Sequence, residues 1–345
     1  MGIQPFIEKS DLKDERIDNW VLGISGGVFI VFILMALVNI EAAGNSLNAA
    51  LNWVSNTFGS ILTLVSFINV FFLIYLIFSR YGSLKLGALE KPEMSTFTWV
   101  SILFCTAIAA GAVFYGPGEP MYHYTSVPPL YPGVESGSPE AAVIAMQYSF
   151  LHWGITPWAI YATFAIAIMV ACYHHGLPFK PSSAFAVILG KERIFGLWGK
   201  IIDSLSILAV VGGVMAAVGL LVIQLGYTLN VAYGIPDTIW LKYVVLLAIV
   251  VIYTISCVTG VFRGIALLSR WNVRLALVLG AIVLLVGPTR FIVDLFVNSM
   301  GGYIQDFVKM SLYTDPVERS GWLSFWSVFY WAWWIGWGPA VGLFL

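Results

Sequence analysis

Residues 148–173 read YSFLHWGITPWAIYATFAIAIMVACY, a run without a single Asp, Glu, Lys or Arg. About 20 apolar residues in a helix cross ~30 Å of hydrocarbon, so the run is long enough to span a bilayer. Its first half departs from a lipid-facing composition. His152, Trp153, Pro157, Trp158 and Tyr161 stand where Leu, Ile, Val or Phe would suit a surface against lipid. At about 100° per residue, Trp153 and Trp158 lie about 140° apart and Tyr161 falls between them, so three rings share less than half of the helix circumference. Pro157 removes a backbone donor, and the expected result is a kink that gathers the rings further.

Outward from this run the same apolar character recurs. The chain is 59% hydrophobic and 10% charged, against about 25% charged in a soluble domain. The fold class read from this is an all-α polytopic membrane protein. A short tail (1–18) precedes a transmembrane domain (19–345) with eight expected spans, at about 20–39, 59–79, 96–115, 148–173, 203–228, 239–259, 275–298 and 322–345. The loops fix the expected orientation. With the N-terminus inside, the cytoplasmic pieces hold Lys9, Lys13, Arg16, Arg80, Lys85, Lys91, Lys180, Lys191, Arg193, Lys200, Arg263, Arg270 and Arg274, whereas 40–58, 116–140 and 229–238 contain no basic residue. This positive-inside pattern predicts a multi-pass protein of the cytoplasmic (inner) membrane with a cytoplasmic N-terminus. A net charge of −1 gives no basis for binding nucleic acid. Two amphipathic runs, 261–274 (VFRGIALLSRWNVR) and 301–316 (GGYIQDFVKMSLYTDP), are expected to lie in the membrane plane.

A second aromatic cluster sits in the last span, FYWAWWIGWGPAVG (329–342), where Trp331, Trp333, Trp334 and Trp337 precede an expected break at Gly338–Pro339. Interfacial belts place Trp at helix ends, so this density fits a belt poorly, and structural aromatic packing is the plainer alternative to a ligand site. If the span faces 148–173, the rings enclose a cavity whose walls carry negative quadrupole potential. The natural guest is a cation that cannot hydrogen-bond, a quaternary ammonium or a sulfonium. The third span carries the small residues Ala109, Ala110 and Gly111, which permit close helix approach. Glu119, just past it, reads as a solvated or capping carboxylate. His152 reads as a neutral histidine bonded to backbone, and Asp203 and Arg290 as span-end charges. A haem protein would need paired intramembrane His ligands, and only His152 is deeply placed.

Several segments in order carry a resemblance to the betaine/choline/carnitine transporter (BCCT) family. They are VFYGPGEP (113–120), HWGITPWAIY (152–161), GLPFKPSSAF (176–185), GKIIDSL (199–205), VGLLVIQLGYTLN (218–230), TGVFRGIALLSRWN (259–272), VGPTRFIVD (286–294) and FYWAWWIGWGP (329–339). The resemblance implies a leucine-transporter-type five-plus-five inverted repeat with substrate at mid-membrane. It implies a secondary transporter rather than an enzyme. It assigns the aromatic box to Trp153, Trp158, Tyr161 and Trp334, the pathway to Trp333 and Trp337, and the gate to Phe114. It also implies a homotrimer, with the 261–274 run at the contact.

Three departures shape the expectation. The family's Gly-Met-Gly-Ile-Gly stretch is Ala107, Ile108, Ala109, Ala110, Gly111 here. Choline-specific relatives tend to carry Asp where this chain has Gly111, and an uncharged position favours a zwitterion, which brings its own counter-charge. Val210 and Val214 stand where sodium-coupled relatives carry threonine hydroxyls, and valine offers no oxygen to a hard cation. The expected cofactor list is therefore empty, with sodium coupling weakened, and substrate/product exchange is the alternative. Finally, WGPAVGLFL (337–345) is apolar to its last residue. The expectation is a truncated chain holding the first eight of about twelve spans, the N-terminal two-thirds of a family member, with a non-transporting fragment as a further alternative.

Overall fold

The computed structural model describes residues 17–344, apart from 88–90, 108 and 261–263. Most of the 1–18 tail, Ile108, Arg263 and the start of the 261–274 run therefore lie outside the described residues. All regular structure among the described residues is helical. Asp18 caps α1 (Asn19–Val38), its carboxylate accepting from the Trp20 and Val21 amides at 2.9 and 3.3 Å. Asn39 then caps α2 (Ile40–Phe78), accepting from the Ala42 amide at 3.0 Å. The segment 40–58, expected as a loop, is thus the first part of a 39-residue helix. An Asn cap, Glu41 in the first turn and an Ala-rich sequence outweigh its polarity.

The expected span 96–115 is helical on either side of Ile108, as α3 (Thr96–Ala107) and α4 (Ala109–Thr125), and α4 stays helical past Pro117 and Pro120. The founding run begins earlier than expected, with Ser138 capping α5 (Pro139–Trp153). Its break falls at Gly154, not at Pro157. Gly154 has φ −89° and ψ −128°, and α6 (Ile155–Met169) starts just beyond it and ends in a π-helical turn, Val170–His174. Pro157 occupies the first turn of α6, where a missing N–H breaks no helical bond.

A 3₁₀ turn (Pro181–Phe185) and two short helices, α7 (Ala186–Leu189) and α8 (Lys191–Phe195), lead into α9 (Leu197–Tyr233). Gly234, at φ 68°, closes α9 in the left-handed conformation that glycine adopts without steric cost. Then come α10 (Ile239–Val258), α11 (Ala266–Val286) and α12 (Thr289–Ser311). The expected span 275–298 is divided by Gly287–Pro288, because a residue before proline is pushed out of the α region. Residues 266–274 of the expected in-plane run are instead the first turns of α11. Residues 301–311 of the second run form the end of α12. The chain ends in α13 (Trp322–Phe325) and α14 (Ser327–Phe344).

Among the described residues, six helical stretches are long and apolar enough to cross a membrane: α1, α2, Pro139–His174, α9, α10 and α11. The other two expected spans correspond to the α3–α4 pair and to α14. The core is built where α14 crosses α6 and α2, and where α5 packs on α4 and α12. A side chain at Gly338 would run into the Phe164 ring, and one at Gly342 would meet the Ala165 amide nitrogen at 2.9 Å. The glycines of α14 thus serve close approach to α6, and α14 passes through Pro339 without the expected break.

Candidate functional site

The break at Gly154 sets the geometry of the site. It ends α5 at Trp153 and leaves carbonyls of its last turn without helical partners. The His152 carbonyl accepts instead from the Trp334 indole, at 3.1 Å, which ties α14 to the end of α5. The ring of Trp334 then meets Trp153 edge-to-face at a centroid distance of 5.2 Å and Tyr161 at 6.0 Å. Tyr161 in turn meets Trp158 at 6.1 Å. The four expected box residues therefore form one connected arc of rings, from α5 through α14 to α6. Tyr161 and Trp334 are fully buried, while Trp153 and Trp158 are half-buried.

The pathway residues lie beside this arc. Trp333 and Trp337 line a cavity of about 300 Å3 between α14 and α9, and Phe114 lines a second of about 430 Å3. Both cavities also touch Tyr115 and Phe329, so they flank one aromatic wall. Trp333 stacks on Trp334 at 5.0 Å, which joins that wall to the box. Gly111 faces the back of Trp153: a Cβ there would sit 2.7 Å from Cη2 of the indole. Gly213 stands in the same relation to the Trp337 indole nitrogen. Val210 is half-buried on α9, and Val214 is 43% exposed.

Two expectations are overturned. Glu119 is not solvated: it is fully buried. Oε2 accepts from the Trp153 indole at 2.7 Å and from the Tyr330 hydroxyl at 2.6 Å, and Oε1 lies 2.6 Å from Nδ1 of His152. Nor does the His152 ring bond backbone, since its Nε2 pairs with Ser327 Oγ at 2.9 Å. His123, one turn after Glu119, is buried as well, with Nε2 3.4 Å from Oε1. Ligand atoms of Glu119, His123 and His152 fall within 4.8 Å of one another. Both Glu119 oxygens are engaged in short hydrogen bonds, so the arrangement is a buried polar network that joins α4, α5 and α14.

The sequence contained signals for this network. Glu119 and His123 are four apart, one helical turn, but GPGEP reads as a turn and hides the helix. Tyr330 lies one turn before Trp334 and shares its face. Asp203, near the start of α9, is buried too, accepting from the Ser182 amide at 2.8 Å and hydroxyl at 3.1 Å, with Lys180 at 3.5 Å. Arg290 pairs with Asp294 at 3.5 Å on an exposed face.

A chain whose described residues form only helices, several of them apolar and of membrane length, packed around a buried aromatic and carboxylate centre, is a multi-pass membrane protein. The chain belongs to the betaine/carnitine/choline family of transporters, which it matches over residues 20–345. It is therefore a member of a family of membrane transporters, not of enzymes. It is 38% identical to glycine betaine transporter 2 of Vibrio parahaemolyticus, over 97% of this chain and 61% of that protein. Identity to a glycine betaine transporter of Bacillus subtilis is 37%, over 91% of this chain and 61% of that one. A high-affinity choline transport protein of Escherichia coli K12 is 35% identical over 96% of this chain and 49% of its own length. The chain thus spans about half to three-fifths of the curated relatives it matches.

Proposed function

We propose that this chain serves secondary active transport of quaternary-ammonium or sulfonium zwitterions across the cytoplasmic membrane. In this reading glycine betaine and dimethylsulfoniopropionate are the leading substrates, with carnitine and choline following. The single observation that carries it is the connected arc Trp153–Trp334–Tyr161–Trp158, drawn from three helices. Each ring contributes ~0.5–2 kcal/mol to a cation held against its face. The rings touch one another in this structure, so they part to admit a ligand, and the flanking cavities lined by Phe114, Trp333 and Trp337 provide the approach.

The same reading carries the architecture that the family resemblance implies: a leucine-transporter-type inverted repeat, a cytoplasmic N-terminus and a homotrimer. Val210 and Val214 support exchange without sodium as the second mechanism. Titration of the purified chain with glycine betaine, followed by tryptophan fluorescence, tests the binding step. Saturable quenching in the wild type, with affinity weakened about ten-fold or more by Trp334→Leu, is the expected result. A silent titration removes the box from the proposal and leaves a non-transporting fragment. Uptake into proteoliposomes with and without a sodium gradient separates symport from exchange.

A further inference from the structure

Glu119 sits where three helices meet, on α4 behind the rings of α5 and α14. Its partners are not incidental to the box. Trp153, which donates to it, is the α5 end of the ring arc. Tyr330, which also donates to it, lies parallel to Trp334 at 5.6 Å and 16°, and to Trp333 at 6.3 Å and 3°. One carboxylate therefore holds both walls, the indole of α5 directly and the stack of α14 through the Tyr330 hydroxyl. His152 completes the anchorage between Glu119 and Ser327.

Chemistry adds to position. Hydrogen bonds to an ionised acceptor are roughly twice as strong as neutral ones. An indole N–H that donates to a carboxylate gains electron density in its ring, which deepens the negative potential of its face. Glu119 also places a negative group behind a wall whose guest carries a positive one. A buried carboxylate without such partners would be costly inside a membrane, and here each partner belongs to the box or braces it.

We propose that Glu119 is a positioning residue of the aromatic box. Its carboxylate fixes Trp153 and Tyr330 and strengthens the Trp153 wall, so that affinity for an onium group depends on it. This rests on the aromatic box being the ligand site, and the test keeps the two ideas apart.

The full chain is placed in lipid nanodiscs, and the hydrogen-bond-sensitive indole band is recorded by ultraviolet resonance Raman spectroscopy. Subtracting the Trp153→Phe spectrum isolates Trp153. The expected band is that of a strongly bonded indole, shifted to a weaker position in Glu119→Gln. A weakly bonded indole in the wild type, or an unchanged band in Glu119→Gln, overturns the proposal whether or not any ligand binds. If Glu119→Gln does not fold, the wild-type band decides.

Glycine betaine and choline are then titrated into the wild type, Glu119→Gln, Trp153→Phe and the double variant. Glu119→Gln is expected to weaken both ligands by about ten-fold, and to add little in the Trp153→Phe background. Full additivity overturns the proposal. If none of the four proteins binds either ligand, the aromatic box fails as a ligand site, and the indole band alone decides whether Glu119 holds Trp153.

Discussion

The Pro139–His174 stretch and α10 are both membrane-length helical segments, and they are built in opposite senses. Pro139–His174 has a mean hydropathy of 1.8 in its most apolar window and half of that window is buried. For α10 the hydropathy is 2.3 and none of the window is buried. The more apolar helix is the outer one. In water the reverse holds, because apolar surface is what burial removes from solvent. In lipid the tails already satisfy Leu, Ile and Val, so the protein interior is where polar, aromatic and small residues find partners. His152, Gln147, Trp153 and Tyr161 lie inward on α5 and α6, while Leu247, Val251 and Ile255 of α10 stay on the surface.

Substitutions in the two regions sharpen that contrast. The largest effect is expected for Glu119→Leu, which leaves the donors of His152, Trp153 and Tyr330 without their acceptor. Breaking a buried charged partnership costs about 3–5 kcal/mol, to be read as a fall in unfolding midpoint in mild detergent. Gly111→Ala comes next. Its methyl would meet the Trp153 indole at 2.7 Å, and overpacking of this kind costs about 1–3 kcal/mol. Ligand affinity should fall with stability, and a neutral result would show that Trp153 moves freely.

A third test lies outside both regions, in the segment after α12. Asp315 is buried, and its carboxylate accepts from the Ser320 hydroxyl and amide, both at 2.7 Å. The Ser320 hydroxyl bond, ahead of the amide bonds, holds its pKa below the ordinary 3.8. A lowered folded value stabilises the segment above the unfolded pKa, and that contribution is lost as pH falls through the folded one. Protease resistance of this segment should therefore drop only below about pH 4, and Asp315→Asn should flatten the dependence. The smallest effect belongs to α10. Leu247, 63% exposed, should tolerate replacement by Ala within about 0.5 kcal/mol in a bilayer. A large loss there would mean that α10 faces protein rather than lipid.

The legibility of the site divides along the same line. The meeting of Trp153, Trp158, Tyr161 and Trp334 was readable because dense aromatic side chains at helical spacing in two apolar runs turn inward rather than toward lipid. Glu119 was misread because a carboxylate beside two prolines looks like a loop residue. Only the packing of α4 against α5 shows that it is sealed from solvent. His152 was set aside for a related reason: its partners are 33 and 175 residues away in the chain. Pro157 drew the expected kink because proline is the familiar breaker, yet the helix parts at Gly154, where the last carbonyls of α5 find Trp334.

By itself the sequence determined the solvent and the class of protein. An apolar run of sufficient length has one stable home, and the distribution of Lys and Arg gives it an expected direction. It also supplied the aromatic inventory, since ring type and helical period are local properties. Tertiary structure decided the helix breaks, the burial of Glu119 and the joining of four rings into one arc. Those depend on which faces of α4, α5, α6 and α14 meet. A buried carboxylate is stable only where its donors converge, and that convergence comes from packing rather than from any one segment.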